Sequence, residues 1–295
     1  MKVKTNAQSL VMQSVSGKVS QSESGADFKL DYNGFPFALP GTGGICYNVL
    51  VGNSAFGLAG DHIEPGVSTR GSDKAGDPLN KSYNFLSCIG NTAKIVSGEA
   101  KGEKGVVTGK HGGSERIMID FTQDVMEELT HQDHIMIKTI GQGLQLEDHP
   151  DIRIANIDPS LFDLINVEED KFGFLEVRVT HEIPGKLMGS GIGSPRVASG
   201  DYDITTQDSG LVKALKIDQL KFGDIVAIRD HDCVFGRTYK TDAVAIGIIV
   251  HSDCKLSGHG PGVTIFMASN TSKIKPILDP AANIAKILSI GSNRT

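Results

Sequence analysis

Residues 243–269, "AVAIGIIVHSDCKLSGHGPGVTIFMAS", set two apolar runs on either side of a loop of histidine, aspartate and glycine. The first run, "AVAIGIIV", carries no polar side chain and is short and rich in Val and Ile. That is the pattern of a strand covered on both faces. "GVTIFMAS" reads as a second strand after the loop. A turn needs glycine and proline, but it does not need His251, Asp253 and His259 within nine positions. His251 and Asp253 share strand parity and can face one mouth, while "GHGPG" seats His259 on a stiff turn. This stretch marks a site.

The strand pattern recurs in "ICYNVLVG" (45–52), "ERIMIDF" (115–121), "HIMIKTI" (134–140), "FLEVRVTHEI" (174–183) and "DIVAIRD" (224–230). "RIMIDF" alternates, which predicts one wet face. Helices are few. Thr122 caps a candidate at 122–133, and Asp158-Pro159 and Asp279-Pro280 each open another, since proline suits the first helical position. The fold expected is mainly β, a β-rich α+β. Residues 1–92 and 141–295 form a larger sandwich or barrel-like body. Residues 93–140 form a small SH3-like, KOW-like barrel inserted in it.

With 295 residues, 39% of them hydrophobic, the chain is long enough for a sizeable core. Its 35 glycines exceed the usual share of roughly 7% and imply many tight turns. A net charge of −6 makes a general nucleic-acid or anionic-membrane binder a poor fit. RNA contact through 94–116 rests only on five basic against three acidic side chains there. Four cysteines without a CxxC pair argue against a zinc ribbon or a disulfide framework. No signal peptide or membrane-length apolar run is present, so the expectation is a cytoplasmic protein with reduced thiols.

Four clusters carry the candidate chemistry. "GLAGDHIEPG" holds Asp61, His62 and Glu64; "GSGIGSPRVASGDYDITTQD" holds Arg196, Asp201 and Asp203; "RDHDCVFGR" holds Asp230, Asp232 and Arg237; the opening stretch holds His251 and His259. Carboxylates and imidazoles are the ligands of divalent metals, and a carboxylate beside an imidazole raises its basicity. The metal candidates are therefore Asp61, His62, Asp203, Asp230, Asp232 and His251. His251, His259 and Glu64 are candidates for proton transfer, and Arg196, Arg237 and Asp201 for holding substrate. Zinc suits a mixed His/Asp set; calcium or magnesium suits oxygen alone. Each cluster also has a plain reading as a turn or a mobile loop.

"GTGGICYNVLVGNSAFGLAGDHIEPGVS", "GEAKGEKGVVTGKHGG", "IKTIGQGLQLEDHPD", "GDYDITTQD" and "LKFGDIVAIRDHD" followed by "VHSDCKLSGHGPGV" resemble a bacterial domain-of-unknown-function family of Thermotoga and clostridia. The resemblance spans nearly the whole chain and implies a β-rich fold with an SH3-like domain. A shorter stretch, "GDYDITTQD" to "LKFGDIVAIRD", is similar to the metal-assisted acetamidases and formamidases, although the "GDGE"-type element of those enzymes is missing. The expectation is a metal-assisted hydrolase of a small amide-like substrate. The alternative is a homo-oligomeric module that binds a metabolite or protein without chemistry.

Overall fold

The run at 243–250 is the interior of a long strand, Thr238–His251, in a computed structural model that describes residues 1–23 and 28–295. Its neighbours in a five-stranded sheet are Gly262–Ser269 and Arg153–Ile154 on one side, Ile225–Asp232 and His181–Pro184 on the other. All pairings are antiparallel except the last, between His181–Pro184 and Ile225–Asp232. Alternate side chains enter two cores. Val244, Ile246, Ile248 and Val250 pack with Ile225, Phe266 and Met267, while Ala245 and Ile249 pack with Val226, Val263 and Tyr202. Each fully buried Val or Ile contributes roughly 1.5–3 kcal/mol by leaving water. A strand covered on both faces is what the sequence predicts.

The second curved sheet closes on itself. Gln13–Val19, His134–Thr139, Thr92–Ile95, Lys104–His111, Arg116–Asp120 and Gly66–Arg70 pair in that order, and the first also pairs with the last through Lys18↔Arg70 and Val19↔Thr69. The result is a six-stranded antiparallel barrel. Val19, Val67, Ile95, Val107, Ile117 and Ile135 belong to its core. Residues 93–140 supply most of these strands. The two that close the ring, Gln13–Val19 and Gly66–Arg70, come from earlier in the chain. Gly17 lies at the closure, where a Cβ would sit 2.6 Å from the Arg70 carbonyl and 2.7 Å from the Tyr83 ring. Only glycine fits there.

Several local expectations change. Arg116–Asp120 is buried throughout, with no wet face, because Met118 enters the core of the larger body and Asp120 pairs with Arg294. In "ICYNVLVG" only Ile45–Cys46 is strand. "FLEVRVTHEI" splits into Leu175–Val179 and His181–Pro184, which join different sheets. The candidate at 122–133 shortens to Gln123–Glu128, and Thr122 lends it no side-chain cap. Asp158 and Pro159 do open a helix, Pro159–Ile165. Asp279 instead accepts from the Ala281 N–H in a turn, and the helix begins at Ile284, capped by Asn283.

The barrel docks through Lys104–His111 against the long strand. Gly109 permits this, since a Cβ there would be 2.7 Å from Val250 Cβ, and the Thr264 hydroxyl donates to the Lys110 carbonyl at 3.1 Å. Both strands end in histidine, and their ends meet. All four cysteines are free thiols, and no helix among the described residues is long and apolar enough to cross a membrane.

Candidate functional site

Docking brings His111 and His251 face to face, with ring centroids 4.4 Å apart. His62 joins them, its centroid 5.1 Å from His251 and 5.8 Å from His111, and His259 lies 5.1 Å from His62. Three of these rings are oriented in the same way. Nδ1 of His111 donates to Glu64 Oε1 (2.5 Å), Nδ1 of His62 to Asp61 Oδ2 (3.3 Å), and Nδ1 of His251 to the Ser252 carbonyl (2.9 Å). Each acceptor places a proton on Nδ1 and turns Nε2 inward, the orientation of a metal-ligating imidazole held by an outer carboxylate or carbonyl. Nε2 of His62 lies 3.2 Å from His259 Nδ1. Burial lowers the pKa of His251, but the facing aspartates outweigh it and hold it well above its ordinary value.

Two aspartates face these nitrogens. Asp201 is pinned by the Gly112 N–H on Oδ1 (2.8 Å), and its Oδ2 lies 2.6 Å from His251 Nε2. Both facing atoms are buried, yet they are out of line for a hydrogen bond and have no other partner. Asp203 reaches both sides: Oδ1 is 3.6 Å from His251 Nε2, and Oδ2 accepts from His259 Nδ1 at 2.8 Å. The ligand atoms of His111, Asp201 and His251 all lie within 4.8 Å of one another; those of His62, Cys254 and His259 form a second such group. Burial opposes charge on Asp201 and Asp203, but the surrounding imidazoles outweigh it and hold both carboxyls below their ordinary range. Burial pushes His62 down and the Cys254 thiol up.

The cluster opens into a cavity of about 540 Å³ lined by His62, His111, Asp201, Asp203 and His259 together with Arg237 and Arg196. Among the residues expected from sequence, Asp61, His62, Glu64, Asp201, Asp203, His251 and His259 come together here. Glu64 is placed differently from a proton acceptor. It is buried and takes hydrogen bonds from His111, Ser68, Ser114 and the Gly43 N–H, so its oxygens are occupied in orienting His111. Its carboxyl is raised by burial but held down to about 2, chiefly by His111.

Asp230 and Asp232 stand apart as a correction. The strand Ile225–Asp232 runs antiparallel to Thr238–His251, so its end pairs with Thr238 and Tyr239, far along the ladder from His251. Their carboxylates accept from the Asp242 and Val234 N–H groups. Asp253 turns away too, toward the Thr206 hydroxyl. His111 was missed because "KHGG" reads as part of a KOW-like turn. Its signal was available: like His251, it closes a strand, and two glycines follow it.

Two family models match the chain: Domain of unknown function (DUF4438), N-terminal, over residues 28–163, and Domain of unknown function (DUF4438), C-terminal, over residues 164–288. The chain belongs to the DUF4438 family. This DUF4438 chain is 43% identical to a solved Thermotoga protein, titled "Crystal structure of TM1086", over 97% of its own length and 99% of that chain, with a TM-score of 0.91. No curated protein matches it. The short likeness to acetamidases and formamidases has no counterpart in these matches. Both DUF4438 segments build the site: His62 and His111 come from the first, Asp201, Asp203, His251 and His259 from the second.

Proposed function

We propose that this chain is a metal-dependent hydrolase of a small polar substrate. One observation carries the reading. Imidazoles with their Nδ1–H groups already committed turn their Nε2 nitrogens toward two aspartates that line an open cavity. An imidazole nitrogen and a carboxylate oxygen, His251 Nε2 and Asp201 Oδ2, do not sit 2.6 Å apart in a buried place without a proton or a cation to share. His111, Asp201 and His251 are the ligands proposed for the metal, with Asp203 reaching toward it. A donor set this rich in nitrogen favours zinc or a similar transition metal over calcium or magnesium.

When bound, such a metal lowers the pKa of a coordinated water and polarises a substrate carbonyl. His259 is suited to move the proton. It is half-buried at the cavity wall and its Nδ1 is held by Asp203, whose hydrogen bond raises its pKa. The water oxygen would bond to the carbonyl carbon, the bond to the amide nitrogen or ester oxygen would break, and the proton taken by His259 would pass to that leaving atom. An amide is the first substrate class to try.

The test is elemental analysis by mass spectrometry on protein purified without a metal-affinity tag. Near-stoichiometric metal is expected, lost in both His251→Ala and His111→Ala while the circular dichroism of the fold is kept. A protein that stays metal-free after incubation with zinc, calcium and manganese would overturn the reading and leave the cavity as a metabolite-binding site without chemistry.

A further inference from the structure

The same cavity is lined by a buried cation with no ion-pair partner among the described residues. Arg237 is 4% exposed, and neither its Nε nor its Nη2 makes a hydrogen bond. No carboxylate among the described residues lies within ion-pair distance of it, although an uncompensated buried charge is costly. The guanidinium is nevertheless held firmly. Its carbon stacks 5.1 Å over the Tyr202 ring, and Tyr202 is fixed by a 2.7 Å hydrogen bond to His231. The other side is closed by Gly191, where a Cβ would be 2.7 Å from Arg237 Nη1. The Arg237 N–H donates to the Ser194 carbonyl, and its own carbonyl accepts from Gly193. Only the fork of free N–H groups is left unused.

A second donor lines the same cavity. Asn84 is buried, its Oδ1 accepts the Gly200 N–H at 3.0 Å, and its Nδ2 has no partner. The hydrogen bond to Gly200 settles which end of the amide is the donor. The two unsatisfied donors therefore line the same cavity as the histidine cluster, and what they lack is acceptor oxygens.

We infer that the substrate carries an anionic oxygen group, a carboxylate or a phosphate, which the guanidinium of Arg237 receives with Asn84 as a supporting donor. This rests on the hydrolase reading for the chemistry that follows binding, but the anion receptor stands on its own geometry. The planar fork of Arg237 matches two oxygens of a carboxylate or phosphate at once. Asp201 and Asp203 attract the guanidinium from beyond ion-pair distance, but their oxygens are placed on the imidazoles and none reaches its N–H groups. A substrate anchored there extends its reactive carbonyl toward the cluster, since one cavity contains both.

The experiment is calorimetric titration of the full chain with malonate and with inorganic phosphate, alongside Arg237→Met and Asn84→Ala, with metal content measured on every sample. One of the two anions is expected to bind, and that anion assigns the group. Arg237→Met should weaken it by about 10- to 100-fold, as loss of charged hydrogen bonds does, with metal content unchanged. If Arg237→Met does not fold, Arg237→Lys replaces it: the charge remains but the fork is lost, and binding should still fall. Binding of equal strength in wild type and variants, or of neither anion, would overturn the inference. Arg237-dependent binding to a protein that holds no metal would keep the receptor and remove the hydrolase.

Discussion

Gly262 opens the strand after the "GHGPG" turn, and its lack of a side chain is what makes room for the cluster. A Cβ there would lie 2.1 Å from Asp201 Oδ2 and 2.3 Å from His251 Nε2, the two atoms that face each other. The backbone ladder His251↔Gly262 and the bridge Asp203↔Gly262 bring all three segments this close. Gly262→Ala is expected to push one ligand out of place. Metal content should drop severalfold while far-UV circular dichroism stays as in the wild type, because one methyl group in a strand does not cost the fold. Full metal occupancy in this variant would show that the aspartate and histidine are not the ligands. At this scale the sequence was informative about residue types and blind to pairing. His251, His259, Asp201 and Asp203 could be chosen because a turn needs glycine and aspartate but not two histidines and paired aspartates gathered in glycine-rich stretches. That Glu64 orients a ring, and that Asp230 and Asp232 cap backbone N–H groups, depends on hydrogen bonds between residues far apart in the chain.

Among the elements, the barrel seam shows how a charge can secure a strand. Glu23 lies between Arg70 and the fully buried Arg116, with Oε1 2.8 Å from a nitrogen of each. Partial burial raises its carboxyl, but the two guanidiniums outweigh this and hold it below its ordinary 4.5. A depressed carboxylate stabilises the fold above its unfolded value and loses that contribution as pH falls through the folded one. Glu23→Gln should therefore cost less than about 1 kcal/mol at pH 7, the scale of a half-exposed ion pair. The gap should close as acid protonates the wild-type group. Urea curves for the two proteins from pH 7 down to pH 3 would check this; curves that stay parallel would refute it. Elements with strong local signals were legible. Strands dense in Val and Ile were found, and Asp158-Pro159 opened its helix as expected. The same signal at Asp77-Pro78 opens Pro78–Leu86, a helix the sequence reading passed over because its surroundings are polar and rich in glycine. At 279–290 the local signal was present but another cap prevailed, since Asn283 bonds the Ala285 N–H while its Nδ2 is tied to Asp224 and the Phe222 carbonyl.

For the whole molecule, the decisive contact is the barrel against the long strand. His62 and His111 lie in the first family segment, and Asp201, Asp203, His251 and His259 in the second, so a bound cation would tie the two together. A ligand that binds only the native arrangement stabilises it by about 4 kcal/mol when present at a thousand times its dissociation constant. Stripping the protein with a strong chelator should lower its melting temperature by several degrees, and zinc should restore it. A melting temperature indifferent to chelator would mean that no metal joins the segments. What this sequence determines by itself is its strands, its β-rich class and the residue types of its site, because alternation, branching and turn chemistry act between near neighbours. What only the tertiary structure decides is that two strands end together, that His111 belongs with His251, and that Arg237 has no ion-pair partner among the described residues. Those follow from packing Gly109 against Val250 and Tyr202 beneath a guanidinium, contacts whose partners lie tens to hundreds of residues apart.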